Sequence, residues 1–402
     1  MSGQLFTKPS GYALGFWASL AAVNLAAGVL ISAQPDRVTD LESMHRWVSG
    51  WLLRGENVYQ PTDSFVDYPP HAIVVLSPLG LQSFDAALPI WMMLNIAFAV
   101  LAPYLAARFF RPHDPFRVVL LPILMFLCWG GVRTLAQFSL AALTFSMAAL
   151  ALAERTRLAA GVCLGLAMMK PQVALPVLAW SVFTRRWTMV LAALGTVVVL
   201  AAMFFLRSSS DPALVFSRYS ETLAAFHTGD AILAGLSELR PLIAQMVGES
   251  SPTDGIAGSI VLALLAAMCL AGFREGAIKR RALYTAPPLA ACWSLLTFYH
   301  LTYGFIILLP VMMLLALHDS EPSKLRRSLF WLLQLGMMFD IPGLSRRTAL
   351  GDTALYVNVL SHADRALMLA LFAGLMILKS REDADHLNVQ RRHAGTQKAT
   401  TE

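Results

Sequence analysis

Apolar runs broken by short polar or basic interruptions set the pattern of this chain. Runs near 11–33, 84–107, 118–131, 135–152, 158–169, 171–183, 187–206, 256–273, 282–298, 303–318, 328–342 and 364–379 are continuous and rich in Leu and Ala. Unbroken apolar character predicts helices. Barrel strands alternate over tracts of about ten residues, and in lipid each backbone polar group must be bonded within its helix or a closed barrel. The expected fold is all-α: a polytopic membrane bundle of about 12 transmembrane helices. Several runs are shorter than the roughly 20 residues that cross a bilayer at about 1.5 Å per residue. The segment 158–183, between "ERTR" and "TRRW", must turn back near "MMKPQ" at 168–172. Short paired helices of this kind thin the membrane or line a cavity.

Two interruptions are long, at 34–83 and 207–255. In the first, Leu41, Met44, Val48, Trp51 and Leu52 recur at helical spacing, with Glu42, Arg46, Ser49 and Gly50 towards the other side. This predicts an interfacial helix with Trp anchors. Further on, "VDYPPHAIVVLSPLGL" sets two prolines before an apolar run too short to span, so 70–83 is read as a re-entrant or interfacial helix. In the second loop, Leu239, Leu242, Ile243 and Met246 show helical periodicity. That segment is expected on the membrane surface or over the first loop.

Composition agrees with this picture: 402 residues, 57% hydrophobic and only 14% charged, carry more apolar surface than one soluble core hides. The net charge of +6 comes from basic clusters beside the apolar runs, a topology signal that argues against a nucleic-acid partner. Arg108/Arg111/Arg117, Arg155/Arg157, Arg185/Arg186, Arg274/Lys279/Arg280/Arg281 and Lys324/Arg326/Arg327 mark the cytoplasmic side. The expectation is an integral protein of the cell (inner) membrane, with both termini cytoplasmic and both long loops extracytoplasmic. Residues 1–379 are read as one membrane domain and 380–402 as a disordered cytoplasmic tail. The run at 11–33 is too long for a signal-peptide core, so it reads as a first spanning helix. Cys128, Cys163, Cys269 and Cys292 lie in apolar runs without metal-ligand spacing.

Asp40 has two readings. Thr39 and Glu42 have the spacing of a capping box, which puts Asp40 in the first turn of a helix, where the dipole stabilises a carboxylate. The other reading is a base at the membrane surface, taking a proton from an acceptor hydroxyl. Asp36, Asp40 and Glu42 are close in sequence but lack recognised metal spacing, so no metal is expected.

"TDLESMHRWVSGWLLRGENVY" followed by "DYPPHAIVVLSPL" resembles the aspartate, Gly-x-x-x-Tyr and Tyr-Pro-Pro pattern of glycosyltransferase family 87, in the GT-C superfamily. "LAQFSLAALTFSMAALAL" is similar to the family's Gly-Gln-x-Asn segment, with Ala136 and Ser139 standing where glycine and asparagine are common. "RLAAGVCLGLAMMKPQVALPVL" is similar to its Lys-Pro segment, and "CWSLLTFYHLTYGFIILLP" to a late helix-end histidine. The resemblance implies a polyprenyl-phosphate-dependent hexosyltransferase of the mannosyltransferase type. It would move a mannose-like hexose from the lipid phosphate to a hydroxyl of a glycolipid or glycan acceptor, outside the cell membrane, with inversion. Neither cofactor nor metal is implied, the lipid-linked sugar phosphate being substrate.

Lys170 lies between two apolar half-helices, where a charge costs about 2.5 to 3.5 kcal/mol on insertion scales. It either snorkels to the interface or meets the donor phosphate, and the resemblance favours the phosphate. Arg133, at the neighbouring turn, is a second phosphate candidate, and Gln137 and Tyr68 are placed with the donor. His300 is either a hydrogen-bonded interfacial histidine or, by its family match, a partner in acceptor activation; Asp40 and His300 both stand as candidate bases. His45 and Asp67 are candidate acceptor contacts, Asp67 equally a turn carboxylate, and Asp36 is a substitute base. A transporter or flippase for a lipid-linked precursor also suits broken helices and an intramembrane cation. A non-catalytic assembly partner is a third class. Two long loops on one face, and no visible similarity between the halves, favour the enzyme.

Overall fold

A computed structural model describes residues 10–32, 34, 39–60, 66–110, 116–129, 135–226, 259–260, 263, 279–297, 302–317, 323–339, 363 and 365–378. Every element assigned among them is helical: α1 (Gly11–Ser32), α2 (Thr39–Ser49), α3 (Pro70–Leu76), α4 (Phe84–Phe110), α5 (Phe116–Leu127), α6 (Ser139–Leu152), α7 (Arg157–Ala167), α8 (Pro171–Phe183), α9 (Trp187–Ser208), α10 (Pro212–Phe226), α11 (Lys279–Thr297), α12 (Leu309–Leu317) and α13 (Lys324–Phe339). A last apolar helix, α14, covers Arg365–Leu378. Among the described residues α1, α4 and α9 are long and apolar enough to cross a membrane; α6, α7, α8 and α14 are shorter apolar helices. Of the roughly twelve crossings expected, the described residues hold three full-length candidates and a set of short helices. The expected helix at 256–273, the periodic segment at 239–246 and the tail at 380–402 fall wholly or mostly outside the described residues.

Local chemistry sets these boundaries. The chain turns at Met168–Lys170, where Lys170 N donates to Ala167 O at 3.1 Å, and Pro171 opens α8, its missing N–H costing nothing in a first turn. That is the reversal expected at 168–172. α7 lies so close to α9 that a Cβ on Gly161 would stand 2.5 Å from Met189 O, and one on Gly165 2.8 Å from Ala193 O. This Gly-x-x-x-Gly face lets two backbones meet without side chains between them. Leu191, Leu194, Val198 and Leu206 on α9 stay exposed, as a lipid-facing surface requires.

One expectation changes, and one basic marker has a structural role as well. Leu41, Met44, Val48 and Trp51 do form one face of α2, but they are buried in protein, and Trp47 with them, rather than laid on lipid. The cover is α3, α4 and the 3-10 turn Ser77–Leu81, and α9 takes the π-helical end, where Trp51 Nε1 donates to Phe204 O at 3.1 Å and its ring stacks on Phe204 at 6.0 Å. Arg207 Nη2 closes the join, donating to Leu52 O at 3.0 Å at the end of the π-helical turn Gly50–Arg54. Arg186, read from sequence as a topology marker, is a buried staple. It donates to Ala153 O at 3.0 Å, pairs with Glu154 and lies 4.6 Å from the Trp180 ring centroid.

Candidate active site

Three local arrangements converge at one end of the short helices. The first is α2, which presents Asp40 in its opening turn. A 3-10 turn, Ser77–Leu81, clamps it: a Cβ on Gly80 would lie 2.8 Å from Ser49 N, so only glycine allows this approach. His45 Nε2 donates to Gln82 O at 2.8 Å and its ring meets Phe84 edge-on at 5.6 Å. The contacts of His45 are thus with the start of α4, not with the acidic groups described next.

The second is the turn before α6. Fully buried Asn95 on α4 donates through Nδ2 to Leu135 O at 2.7 Å and to Gln137 O at 3.1 Å, fixing the backbone that carries Gln137. Gln137 Nε2 in turn donates to Asp40 Oδ2 at 2.5 Å. Phe138 packs between Trp91, at 4.8 Å, and Tyr68, at 5.6 Å, and so joins this turn to the Tyr-Pro-Pro segment.

The third is that segment. Pro69 is extended and Pro70 opens α3, whose Pro70, His71, Ala72, Ile73 and Val74 are all buried. The expected short helix at 70–83 is therefore present, enclosed by protein. Tyr59 O–H donates to Tyr68 O at 2.5 Å, closing the loop that holds Asp67. Lys170 is buried and its Nζ lies 5.8 Å from the centroid of the Tyr68 ring, within cation–π range. His71, not singled out from sequence, is hydrogen-bonded to the Met168 backbone near Lys170, while its buried Nε2 has no partner among the described residues.

These charges act on one another. Asp67 is exposed, yet desolvation by the surrounding protein pushes its carboxyl up to about 6, the Lys170 charge opposing the rise and the Asp40 charge adding to it. The two facts fit a carboxyl on the wall of a recess, open at its surface but flanked by low-dielectric material. On α10, burial and then the Asp67 charge push the Tyr219 hydroxyl up to about 12. Asp40, Asp67, Tyr68, Gln137 and Lys170 thus form one group. Arg133 and His300 lie outside the described residues. The sequence reading missed Asn95, His71 and Tyr219; a polar residue inside an apolar run was the available signal for the first two.

Among the described residues the chain is thus an all-helical bundle with three candidate membrane spans, in which a carboxylate, an amide and a lysine gather at the ends of short helices. The profile of glycosyltransferase family 87, a family of membrane enzymes, matches residues 65–298, more than half of the chain. The chain belongs to this family and is a membrane glycosyltransferase. Asp40 lies before the matched region and His300 just after it. No curated protein and no solved structure matches the chain significantly.

Proposed function

We propose that this glycosyltransferase moves a hexose of the mannose type from a polyprenyl-phosphate donor to a hydroxyl of a glycolipid or glycan, on the extracytoplasmic side of the cell membrane. The observation that carries the proposal is the juxtaposition of Asp40, held by Gln137, with the Asp67, Tyr68 and Lys170 group. A transfer from a lipid phosphate needs a base for the acceptor proton and a cation for the departing phosphate, a short distance apart.

In this mechanism the acceptor oxygen attacks the anomeric carbon and the bond from that carbon to the phosphate oxygen breaks. The polyprenyl phosphate leaves with the bonding electrons, and the acceptor proton passes to the Asp40 carboxylate. A single displacement inverts the anomeric centre. Lys170, at the start of α8, offsets the negative charge that grows on the leaving phosphate. A phosphate on a lipid is already a competent leaving group, so neither a nucleotide nor a metal is required. Tyr68 sets the wall beside Lys170, and Asp67 receives hydroxyls of the acceptor. Arg133 and His300 are retained as a phosphate contact and an alternative base.

The test is transfer by purified, reconstituted protein from synthetic polyprenyl-phosphate mannose, compared with nucleotide mannose, to an octyl hexoside. Transfer from the lipid phosphate alone is the expected result. Transfer from the nucleotide sugar, or movement of the lipid across the bilayer without transfer, would overturn the proposal.

A further inference from the structure

The group around Asp40 leaves α10 unexplained. This helix begins at Pro212, with Ala213 N donating to Asp211 Oδ1 at 2.9 Å as an N-terminal cap. Val215 and Thr222 are buried, whereas Leu214, Phe216, Arg218 and Glu221 are outward, so one stripe turns to the protein. Half-buried Tyr219 falls on that stripe, one turn beyond Val215. Its ring meets Tyr59 edge-on at 6.5 Å, with planes 88° apart, and Tyr59 is fixed by its hydrogen bond to Tyr68 O. Tyr59 also packs edge-on against Phe204 at 5.6 Å, at the end of α9 from which α10 departs. Tyr219 is thus joined through Tyr59 to the backbone of Tyr68, next to Asp67, and the Asp67 charge is felt at its hydroxyl.

A carboxylate beside a fixed aromatic ring suits one ligand chemistry above others. The carboxylate accepts hydrogen bonds from adjacent hydroxyls, while the ring covers the C–H face of a pyranose. Lys170 responds to both Asp67 and Asp40, whereas Asp67 is the acidic group that acts on Tyr219. The contacts of Tyr219 with Tyr59, and of Tyr59 with the Tyr68 backbone, bring Tyr219 to the segment that carries Asp67. We infer that Tyr219 of α10, with Asp67, forms the acceptor subsite and selects a pyranose as acceptor, making Tyr219 a specificity-determining residue. A simple lipid alcohol or a protein hydroxyl would leave this pair unused. The inference rests on the transferase reading, but its binding component can be tested without turnover.

The experiment uses the full chain in a detergent without a sugar headgroup, with octyl α-D-mannopyranoside and octanol as probes. Saturation-transfer NMR measures binding, and transfer from polyprenyl-phosphate mannose measures turnover. Wild type is expected to bind the mannoside through its ring protons. Tyr219→Ala and Asp67→Asn should each weaken that binding about tenfold, whereas Tyr219→Phe, which keeps the ring and the fold, should weaken it less than threefold. Donor KM should be unchanged in Tyr219→Ala. If Tyr219→Ala does not fold, Tyr219→Leu and Asp67→Asn carry the comparison. No mannoside binding by wild type, equal use of octanol, or unchanged affinity in the alanine and leucine variants would overturn the subsite. Mannoside binding that depends on Tyr219 without any transfer would instead keep the subsite and remove the proposed donor.

Discussion

Gln137 donates its side-chain amide to Asp40 at 2.5 Å, across 97 positions of sequence. A hydrogen bond to a carboxylate fixes its direction, which a base needs. Gln137→Ala is expected to lower kcat about tenfold to a hundredfold, with donor affinity unchanged, because the bond acts on the base. Titrating the lipid donor against the variant, alongside steady-state rates, separates the two effects. A tenfold loss of donor affinity with normal kcat would return Gln137 to the donor side.

The lysine makes the opposite prediction. Lys170 lies beside the Tyr68 ring and in the field of two carboxylates. Lys170→Ala should weaken binding of polyprenyl phosphate at least tenfold, and Lys170→Arg should recover part of it, since a guanidinium also binds phosphate. Equal affinities for wild type and Lys170→Ala would remove the lysine from phosphate binding.

Asp67 predicts a pH dependence with a definite sign. Its carboxyl is raised from 3.8 to about 6 in the folded protein. The native state therefore holds this proton more tightly than the unfolded chain, and between those two values stability falls as pH rises. Above about 6 the destabilisation is complete, so Asp67→Asn should raise the thermal midpoint at pH 8 and leave it nearly unchanged at pH 3.5. For acceptor binding, the charged form is lost as pH falls through about 6. Mannoside affinity should decline there in wild type and stay flat in Asp67→Asn.

The α7–α9 contact predicts a remote effect. Gly165→Leu would force side-chain atoms against Ala193 O and Thr196, where even a Cβ has no room. Overpacking of this kind costs about 1–3 kcal/mol and shifts helices. Because α7 leads into the Lys170 turn, the variant should lose thermal stability and donor affinity together, whereas Gly195→Ala, at an open position, should do neither.

Much of this arrangement was legible in the sequence where the signal is local. The limits of α1, α8 and α9, the reversal at 168–172 and the short helix after Tyr68-Pro69-Pro70 follow from run length and proline chemistry. The role of each short helix was not legible, because a short apolar run reads alike whether it spans, pairs with a neighbour or lies inside the protein. α2 shows the same ambiguity: an amphipathic face looks identical from sequence whether lipid or other helices of the protein cover it. α10 escaped notice because Ser217, Arg218, Ser220 and Glu221 interrupt its apolar stripe. In the site, Asp40, Gln137 and Lys170 were candidates from residue type and family resemblance. Asn95, which sets Gln137 in place, and Tyr219, beside Asp67, owe their positions to contacts between distant segments that no local spacing encodes.

The central claim is that Asp40 takes the acceptor proton during transfer from a lipid phosphate. It is tested most directly by Asp40→Asn in purified protein, with transfer from polyprenyl-phosphate mannose and donor binding measured on the same preparation. An asparagine keeps the shape and can still bond to Gln137, but it cannot accept the proton, and a general base contributes about a hundredfold to ten-thousandfold. The expected result is a loss of turnover of at least a hundredfold with donor affinity within twofold of wild type. Turnover retained at the wild-type rate would contradict the claim.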